Sequence, residues 1–179
     1  MKRKCFTSFA AMLLLMLPLG CASDKIFIAG LPSIQSFDAK KYMGTWYEIA
    51  RFQHSFEKDL MKVTATYTLR PDGNIDVLNA GYLISDPAVR KEAKGKARPA
   101  KGKLGYFQVS FFGPFYGDYR IISLDEKDYQ YALVVSSTRD YLWILSRTPK
   151  MDKAVYDRLL KTAEEAELDT SRIFVVPQN

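Results

Sequence analysis

The chain has 179 residues and carries 26 basic and 20 acidic side chains, for a net charge of +6. This length allows one domain with a sizeable hydrophobic core. The only cysteines are Cys5 and Cys21. Since both lie near the N-terminus, a disulfide-stabilised fold is excluded and the body of the chain must be stable through packing.

The N-terminal segment has the pattern of a signal peptide. Basic residues at positions 2–4 precede an uncharged apolar run that ends at Gly20, and this run is short for a membrane span. We predict a signal peptide over residues 1–20. Its removal leaves 23 basic and 20 acidic residues, a net charge of +3. An exported chain of this charge is not expected to have a nucleic-acid partner.

The sequence "LPLGCAS", residues 17–23, resembles the lipobox of bacterial lipoproteins. The resemblance implies that Cys21 is acylated and becomes the mature N-terminus. Ala22 stands where an aspartate would signal retention in the inner membrane, which implies anchoring in the outer membrane at its periplasmic face. Residues 21–36 would then form a lipid-anchored tether. The alternative is an ordinary signal peptide cut near "CAS".

The next part of the chain alternates short β-type runs with turn signals. One connection, "PDGN" at residues 71–74, combines a fixed proline φ with residues that favour turns. Because the connections are short, we expect consecutive strands to pair antiparallel. The eight predicted strands cover residues 45–52, 62–70, 74–82, 89–97, 104–112, 118–125, 129–137 and 140–147.

The pattern changes after Pro149. Apolar residues recur every three or four positions over residues 151–168, which predicts one amphipathic helix, and residues 172–176 read as a short final strand. A helix with a single apolar stripe should pack outside a sheet. The sequence therefore predicts an all-β domain over residues 37–179: an eight-stranded antiparallel up-and-down barrel with a C-terminal α-helix outside.

The fourth predicted strand indicates what fills the barrel. Lys94 and Lys96 alternate with Ala93, Gly95 and Ala97. Because the lysines must face water, the three small residues face inward. Small inward residues favour a cavity, and eight strands enclose enough space for one small ligand. A filled core, which would need larger inward side chains, is the alternative.

Two surface features also suggest contacts. The run 90–103 has seven basic residues and one acidic residue; it is either a solvated face or a contact for anionic lipid headgroups. The segment "SFFGPFYG", residues 110–117, places four aromatic side chains in one hairpin. These aromatics either edge the open mouth of the barrel for acyl-chain access or serve hairpin packing or a homodimer contact.

Three segments resemble the motifs of the lipocalin family, in family order and spacing. They are "GTWYEIARF" from residue 44, "GDYRIISLD" from residue 117 and "WILSRTP" from residue 143. The resemblance covers residues 36–176 and is strongest towards bacterial outer-membrane lipocalins and apolipoprotein D. It implies that Arg147 packs across the indole of Trp46 at the closed end of the barrel. The residues that match the family motifs are Gly44, Trp46, Asp118, Tyr119 and Arg147.

The same resemblance implies a ligand pocket higher in the barrel than Trp46. Its expected contacts are Tyr67, Asn79, Phe111 and Trp143; for Phe111 and Trp143 the alternative is a core position. The expected ligand is a fatty acid, a lysophospholipid or a similar amphiphile, and no cofactor or metal is expected. The resemblance thus implies a lipid-anchored binding protein for envelope lipid storage, transport or repair.

Two other functions are kept as alternatives. One is an envelope lipoprotein with a filled barrel and no ligand. The other is a lipid-acting enzyme that uses His54, the single histidine, with Ser55, although a nucleophile-elbow signature is missing. Glu48 shares the predicted inward face of Trp46, and a buried carboxylate needs a partner; either a cation or water at a wet end of the barrel would provide one.

Overall fold

The computed structural model describes residues 30–55 and 57–179. Its strands form one antiparallel sheet in which β1 pairs with both β2 and β8. The β1–β2 pairing closes eight strands into a barrel, so the predicted architecture is confirmed. The strands are β1 (Gly44–Phe52), β2 (Leu60–Leu69), β3 (Ile75–Leu83), β4 (Arg90–Pro99), β5 (Tyr106–Phe112), β6 (Phe115–Leu124), β7 (Tyr131–Val135), β8 (Leu142–Ser146) and β9 (Ile173–Val175).

The short β9 is an addition to the barrel. It pairs antiparallel with the last part of β1, with Ala50 opposite Val175 and Phe52 opposite Ile173. It follows a 3₁₀ turn at Thr170–Arg172 that is capped by Asp169. The predicted final strand is therefore present, and it covers a segment of β1 that has no β2 partner there.

The strand register defines the inner face of the barrel. Trp46 lies opposite Ala65, Ala65 opposite Asn79, and Asn79 opposite Ala93. Side chains of directly opposed residues point to the same side of a sheet. Because Trp46 is fully buried among inward-facing side chains, all four residues of this series face the interior.

The C-terminal helix packs on the outside, as predicted. We label the helices α1 (Ala39–Tyr42) and α2 (Lys153–Glu165). The Asp152 side chain accepts hydrogen bonds from the backbone of Ala154 and Val155 at the start of α2. Leu159 of α2 is buried against the outer face of β7 and β8, which includes Leu133 and Ile144. In the part of the chain that the structure describes, we find no helix long and apolar enough to cross a membrane.

The segment before β1 packs against the closed end of the barrel. Leu31 and Ile34 are buried, and the backbone amides of Gln35 and Ser36 each donate a 2.8 Å hydrogen bond to the Glu126 carboxylate. Residues 30–36 of the predicted tether are thus in contact with the barrel. The predicted signal peptide 1–20, the lipidation site Cys21 and residues 22–29 lie outside the described residues.

Candidate functional site

One end of the barrel is sealed around Trp46 and Arg147. The Arg147 guanidinium lies 3.8 Å from the centroid of the Trp46 ring, which is the contact that the family resemblance implies. It also donates hydrogen bonds to the backbone carbonyls of Thr45, Lys41 and Tyr129, at 3.0, 2.7 and 3.2 Å. A stacked cation with three carbonyl acceptors closes this end tightly.

Gly44 allows the chain to pass close to the Arg147 side chain that covers Trp46. It has a φ of +91°, and a Cβ at this position would lie 3.5 Å from Nη1 of Arg147. An L-residue rarely adopts such a φ. The glycine that opens the first motif is therefore required by the backbone at the entrance to β1.

Tyr67 belongs to the closed end as well. It lies opposite Gly44 in the β1–β2 register, so the expectation that it sits higher than Trp46 is wrong. Its hydroxyl is 3.1 Å from that of Tyr119, which in turn is 2.6 Å from the Tyr42 hydroxyl. Burial raises the pKa of Tyr67 and of its two partners. These neutral phenols and the indole form the floor of the barrel interior.

Two other predicted ligand contacts converge on a residue that the sequence did not indicate. Trp143 Nε1 donates to Oε2 of Glu57 at 3.2 Å, and Asn79 Nδ2 donates to Oε1 of the same carboxylate at 3.4 Å. Glu57 lies in the β1–β2 loop, which we define as residues 53–59, and its side chain is buried. The interior donors of β3 and β8 thus hold a carboxylate of the chain itself.

A buried arginine anchors this loop. Arg51 donates from Nη1 to Oε1 of Glu48 at 2.6 Å and from Nη2 to the backbone carbonyl of Glu57 at 2.5 Å. The buried Glu48 therefore has a cationic partner, which answers the question that its position in the sequence raised. Arg51 Nε and Asn79 Oδ1 are buried without a hydrogen-bond partner in the described part of the chain.

Burial shifts the protonation of the whole cluster. It raises the pKa of Glu48 to about 8, and nearby Glu57 adds to this effect while Arg51 opposes it. Burial also raises the pKa of Glu57, against the stabilising influence of Trp143, Arg51 and Asn79. One guanidinium cannot balance two buried carboxylates. The cluster therefore retains a proton near neutral pH.

His54 lies beside the Glu57 carboxylate, but its imidazole is a weak base in this position. Its Nε2 atom is 3.4 Å from Oε2 of Glu57, and its ring is 5.4 Å from that of Trp143. Burial, together with the charge of Arg51, lowers the pKa of His54 to about 4. The imidazole is thus neutral at physiological pH and packs against the rings of Tyr141 and Trp143.

The inner face next to this cluster is partly exposed where β4 lacks a neighbour on its β5 side. Ala93 faces inward opposite Asn79 and is nevertheless exposed, while Ala65, Asn79 and Trp143 are partly exposed. Ala93 lies in the part of β4 that has no β5 partner, because the β4–β5 register begins at Lys96, and this missing neighbour accounts for its exposure.

Phe111 lies apart from the donor pair of Asn79 and Trp143. Its ring rests against Gly95, where an added Cβ would lie 2.9 Å from the ring. It also lines a groove of about 670 Å³, much of whose wall consists of outward-facing side chains of β2 to β4 such as Thr66, Leu78 and Lys94. The structure therefore brings Asn79 and Trp143 together on Glu57. Phe111, like Trp143, packs against the interior cluster that contains Tyr67.

The aromatic hairpin between β5 and β6 is exposed at its tip. Phe112 lies opposite Phe115, and these side chains are 80% and 78% exposed. Tyr116 instead stacks with Arg98, whose guanidinium is 4.1 Å from the ring centroid. Packing within the hairpin does not cover the two phenylalanines.

This architecture is that of a closed up-and-down barrel with one sealed end and a few polar side chains that face its interior. The family model described as "Lipocalin-like domain" matches residues 37–178. The chain therefore belongs to the lipocalin family. The resemblance inferred from the three motifs is confirmed.

Individual relatives agree with this assignment. The chain is 45% identical over 177 residues to outer membrane lipoprotein Blc of Escherichia coli strain K12, with 91% of this chain and 97% of that protein covered. It is 36% identical over 131 residues to apolipoprotein D of Mus musculus, covering 66% of this chain and 65% of that protein. The crystal structure of the cockroach allergen Per a 4 matches the fold with a TM-score of 0.66 at 23% identity, over 83% of this chain and 92% of that chain.

Proposed function

We propose that this protein binds a fatty acid, a lysophospholipid or a similar single-tailed amphiphile in the barrel, for storage, transport or repair of envelope lipids. The observation that carries the proposal is the pair of donors, Asn79 Nδ2 and Trp143 Nε1, that face the interior of a closed barrel. Apolar wall combined with a few placed donors is typical of ligand pockets. Each buried methylene of an acyl chain adds about 0.8 kcal/mol, so few polar contacts are needed.

The predicted contacts have different roles in this proposal. Asn79 and Trp143 bind the polar end of the ligand, while Tyr67 belongs to the floor that limits how deep the tail can reach. Phe111 lies over the small residue Gly95 and contributes apolar wall. Exposed Phe112 and Phe115 guide the acyl chain to the mouth; a homodimer contact through the same two rings is the alternative.

We also propose that the chain acts at the outer membrane. Its relatives in Escherichia coli and Vibrio cholerae are named outer membrane lipoproteins, and the lipobox-like segment before Cys21 agrees with those names. An acyl anchor on Cys21 would hold the barrel at the periplasmic face. There it could exchange lipids with the membrane and needs no spanning helix.

Lipid analysis of the purified protein tests the function directly. We expect mass spectrometry of the organic extract to find a single-tailed amphiphile in near-stoichiometric amount. After delipidation, a fatty acid with a nitroxide on its chain should quench the tryptophan fluorescence. This quenching should largely disappear in Trp143→Phe, because Trp46 is sealed behind Arg147. Absence of any co-purified amphiphile, together with absence of quenching, would favour the filled-barrel alternative.

The enzyme alternative has its own readout in the same preparation. Because the pKa of His54 is lowered and its ring packs against Trp143, we expect His54→Ala to leave any background hydrolysis of lysophospholipid unchanged. A hydrolysis rate that the substitution abolishes would overturn the proposal that this is a binding protein.

A further inference from the structure

The donors inside the barrel are already occupied by a carboxylate. Glu57 presents one oxygen to Trp143 Nε1 and the other to Asn79 Nδ2, which is how a two-donor site would hold the headgroup of a fatty acid. Glu57 lies outside the barrel strands, whereas both donors lie on them. The donors are therefore fixed, and the carboxylate is the part of the arrangement able to move.

We propose that Asn79 and Trp143 form a carboxylate-binding subsite that Glu57 occupies in the free protein and that the carboxylate of a fatty acid takes over on binding. This inference rests on the proposed function, because it concerns the polar end of the same ligand. It adds the chemical class of headgroup that the site prefers and the residue of the chain that competes for it.

Charge balance favours this exchange over simple addition. Glu48, Glu57 and Arg51 already place two carboxylates around one guanidinium inside the barrel. A further anion at the same place would have no cation to compensate it, and a buried unpaired charge is costly. When a ligand carboxylate replaces Glu57, the charge and the two hydrogen bonds stay the same. A phosphodiester also has two terminal oxygens, but its tetrahedral phosphorus carries two ester substituents outside the plane of those oxygens, so it does not reproduce the planar carboxylate that the donors hold here.

The anchoring of the loop makes the exchange local. The backbone carbonyl of Glu57 accepts a hydrogen bond from Arg51 at 2.5 Å, and the amide of Glu57 donates to the carbonyl of His54. Neither bond involves the side chain. Rotation of the Glu57 side chain towards solvent therefore frees both donors without unfolding the loop.

The test compares an acid with its ester in variants of the full chain. Cis-parinaric acid and methyl cis-parinarate have the same tail, and fluorescence titration measures the affinity of each for delipidated protein. Glu57→Ala removes the internal competitor. If Glu57 holds the subsite about nine-tenths of the time, its removal strengthens acid binding by about tenfold. Binding of the ester, which lacks the carboxylate, should change by less than about twofold.

Two further variants identify the donors. In the Glu57→Ala background, Asn79→Leu and Trp143→Phe should each weaken binding of the acid several-fold and leave that of the ester nearly unchanged. Glu165→Ala, the same substitution at an exposed position of α2, is the matched control and should affect neither ligand. Melting temperatures establish that each variant is folded.

The possible outcomes separate this inference from the proposed function. If both ligands bind and Glu57→Ala strengthens them equally, Glu57 is a steric plug and the carboxylate subsite is refuted. If both bind and neither affinity changes, Glu57 does not compete and the inference is again refuted. If neither ligand binds to any variant, the proposed function itself fails.

Discussion

At the scale of single residues, Arg147 stabilises the closed end of the barrel through the shape of its guanidinium as much as through its charge. Its planar guanidinium covers Trp46 and reaches three backbone carbonyls that belong to different segments. An ammonium group has the charge without the fork of donors. The side chain therefore connects the segment before β1, the start of β1 and the β6–β7 connection.

We expect Arg147→Lys to lower the free energy of unfolding by about 2–4 kcal/mol, because hydrogen bonds from a charged group and a close cation–π contact are lost together. Urea unfolding followed by far-UV circular dichroism measures the change. Arg70→Lys is the matched control, since Arg70 forms ion pairs only at the surface and should cost no more than about 1 kcal/mol. Equal effects of the two substitutions would contradict the structural role of Arg147.

At the scale of elements, α2 stabilises the barrel through one narrow stripe. Leu159 and Ala163 are fully buried, whereas the opposite face of the helix is charged. The stripe covers the outer face of β7 and β8. The outer face of β7 and β8 and the buried stripe of α2 form one hydrophobic cluster. The helix is therefore part of the core of the protein.

Leu159→Ala should therefore destabilise the protein by about 2–5 kcal/mol, the usual range when a fully buried leucine leaves a cavity. Thermal unfolding followed by circular dichroism detects this as a lower melting temperature. Lys161→Ala, on the exposed face of the same helix, should stay within about 0.5 kcal/mol of the wild type. A melting temperature of Leu159→Ala equal to that of the control would show that the helix does not support the barrel.

The elements were predictable from sequence because they repeat, and the centre of the site was not because it depends on an irregularity. Alternation and turn signals predicted all eight barrel strands and the helix. Residues 48 and 51 have opposite parity, however, so regular alternation places them on opposite faces. A register shift between Glu48 and Ala50 puts both Glu48 and Arg51 opposite inward residues of β8, Leu145 and Trp143. A bulge of this kind leaves no signal in a single sequence.

The role of Glu57 could not be predicted from the sequence, for a different reason. The β1–β2 loop has no periodicity, so no face can be assigned to its residues. Arg51 did carry a weak signal, as a charged side chain in an otherwise apolar end of β1. The height of Tyr67 in the barrel depended on the β1–β2 register, which places it opposite Gly44. Strand alternation and family resemblance supplied the inward direction of this side chain, but the level that the resemblance implied was too high.

At the scale of the whole molecule, the buried charges link stability to pH. The pKa of Glu48 is raised from 4.5 to about 8 in the folded protein, so the folded state keeps a proton that the unfolded chain releases. Stability due to this group therefore falls as pH rises from about 4.5 to 8. The pKa of His54 is lowered from 6.5 to about 4, and its contribution rises with pH between those values. The two effects oppose each other below pH 6.5.

Between pH 6.5 and 8 the raised pKa of Glu48 lowers stability as pH rises, and His54 no longer opposes it. The raised pKa of Glu57 changes stability in the same direction as that of Glu48. We therefore expect the melting temperature to fall over this window at constant ionic strength; a loss of about 1 kcal/mol corresponds to about 2–4 °C for a domain of this size. Glu48→Gln should flatten the dependence, because it removes the group that takes up the proton. The exposed control Glu165→Gln should retain it. Stability that rises from pH 6.5 to 8, or a slope that Glu48→Gln leaves unchanged, would show that the cluster is fully ionised inside the barrel and that Arg51 alone compensates both carboxylates.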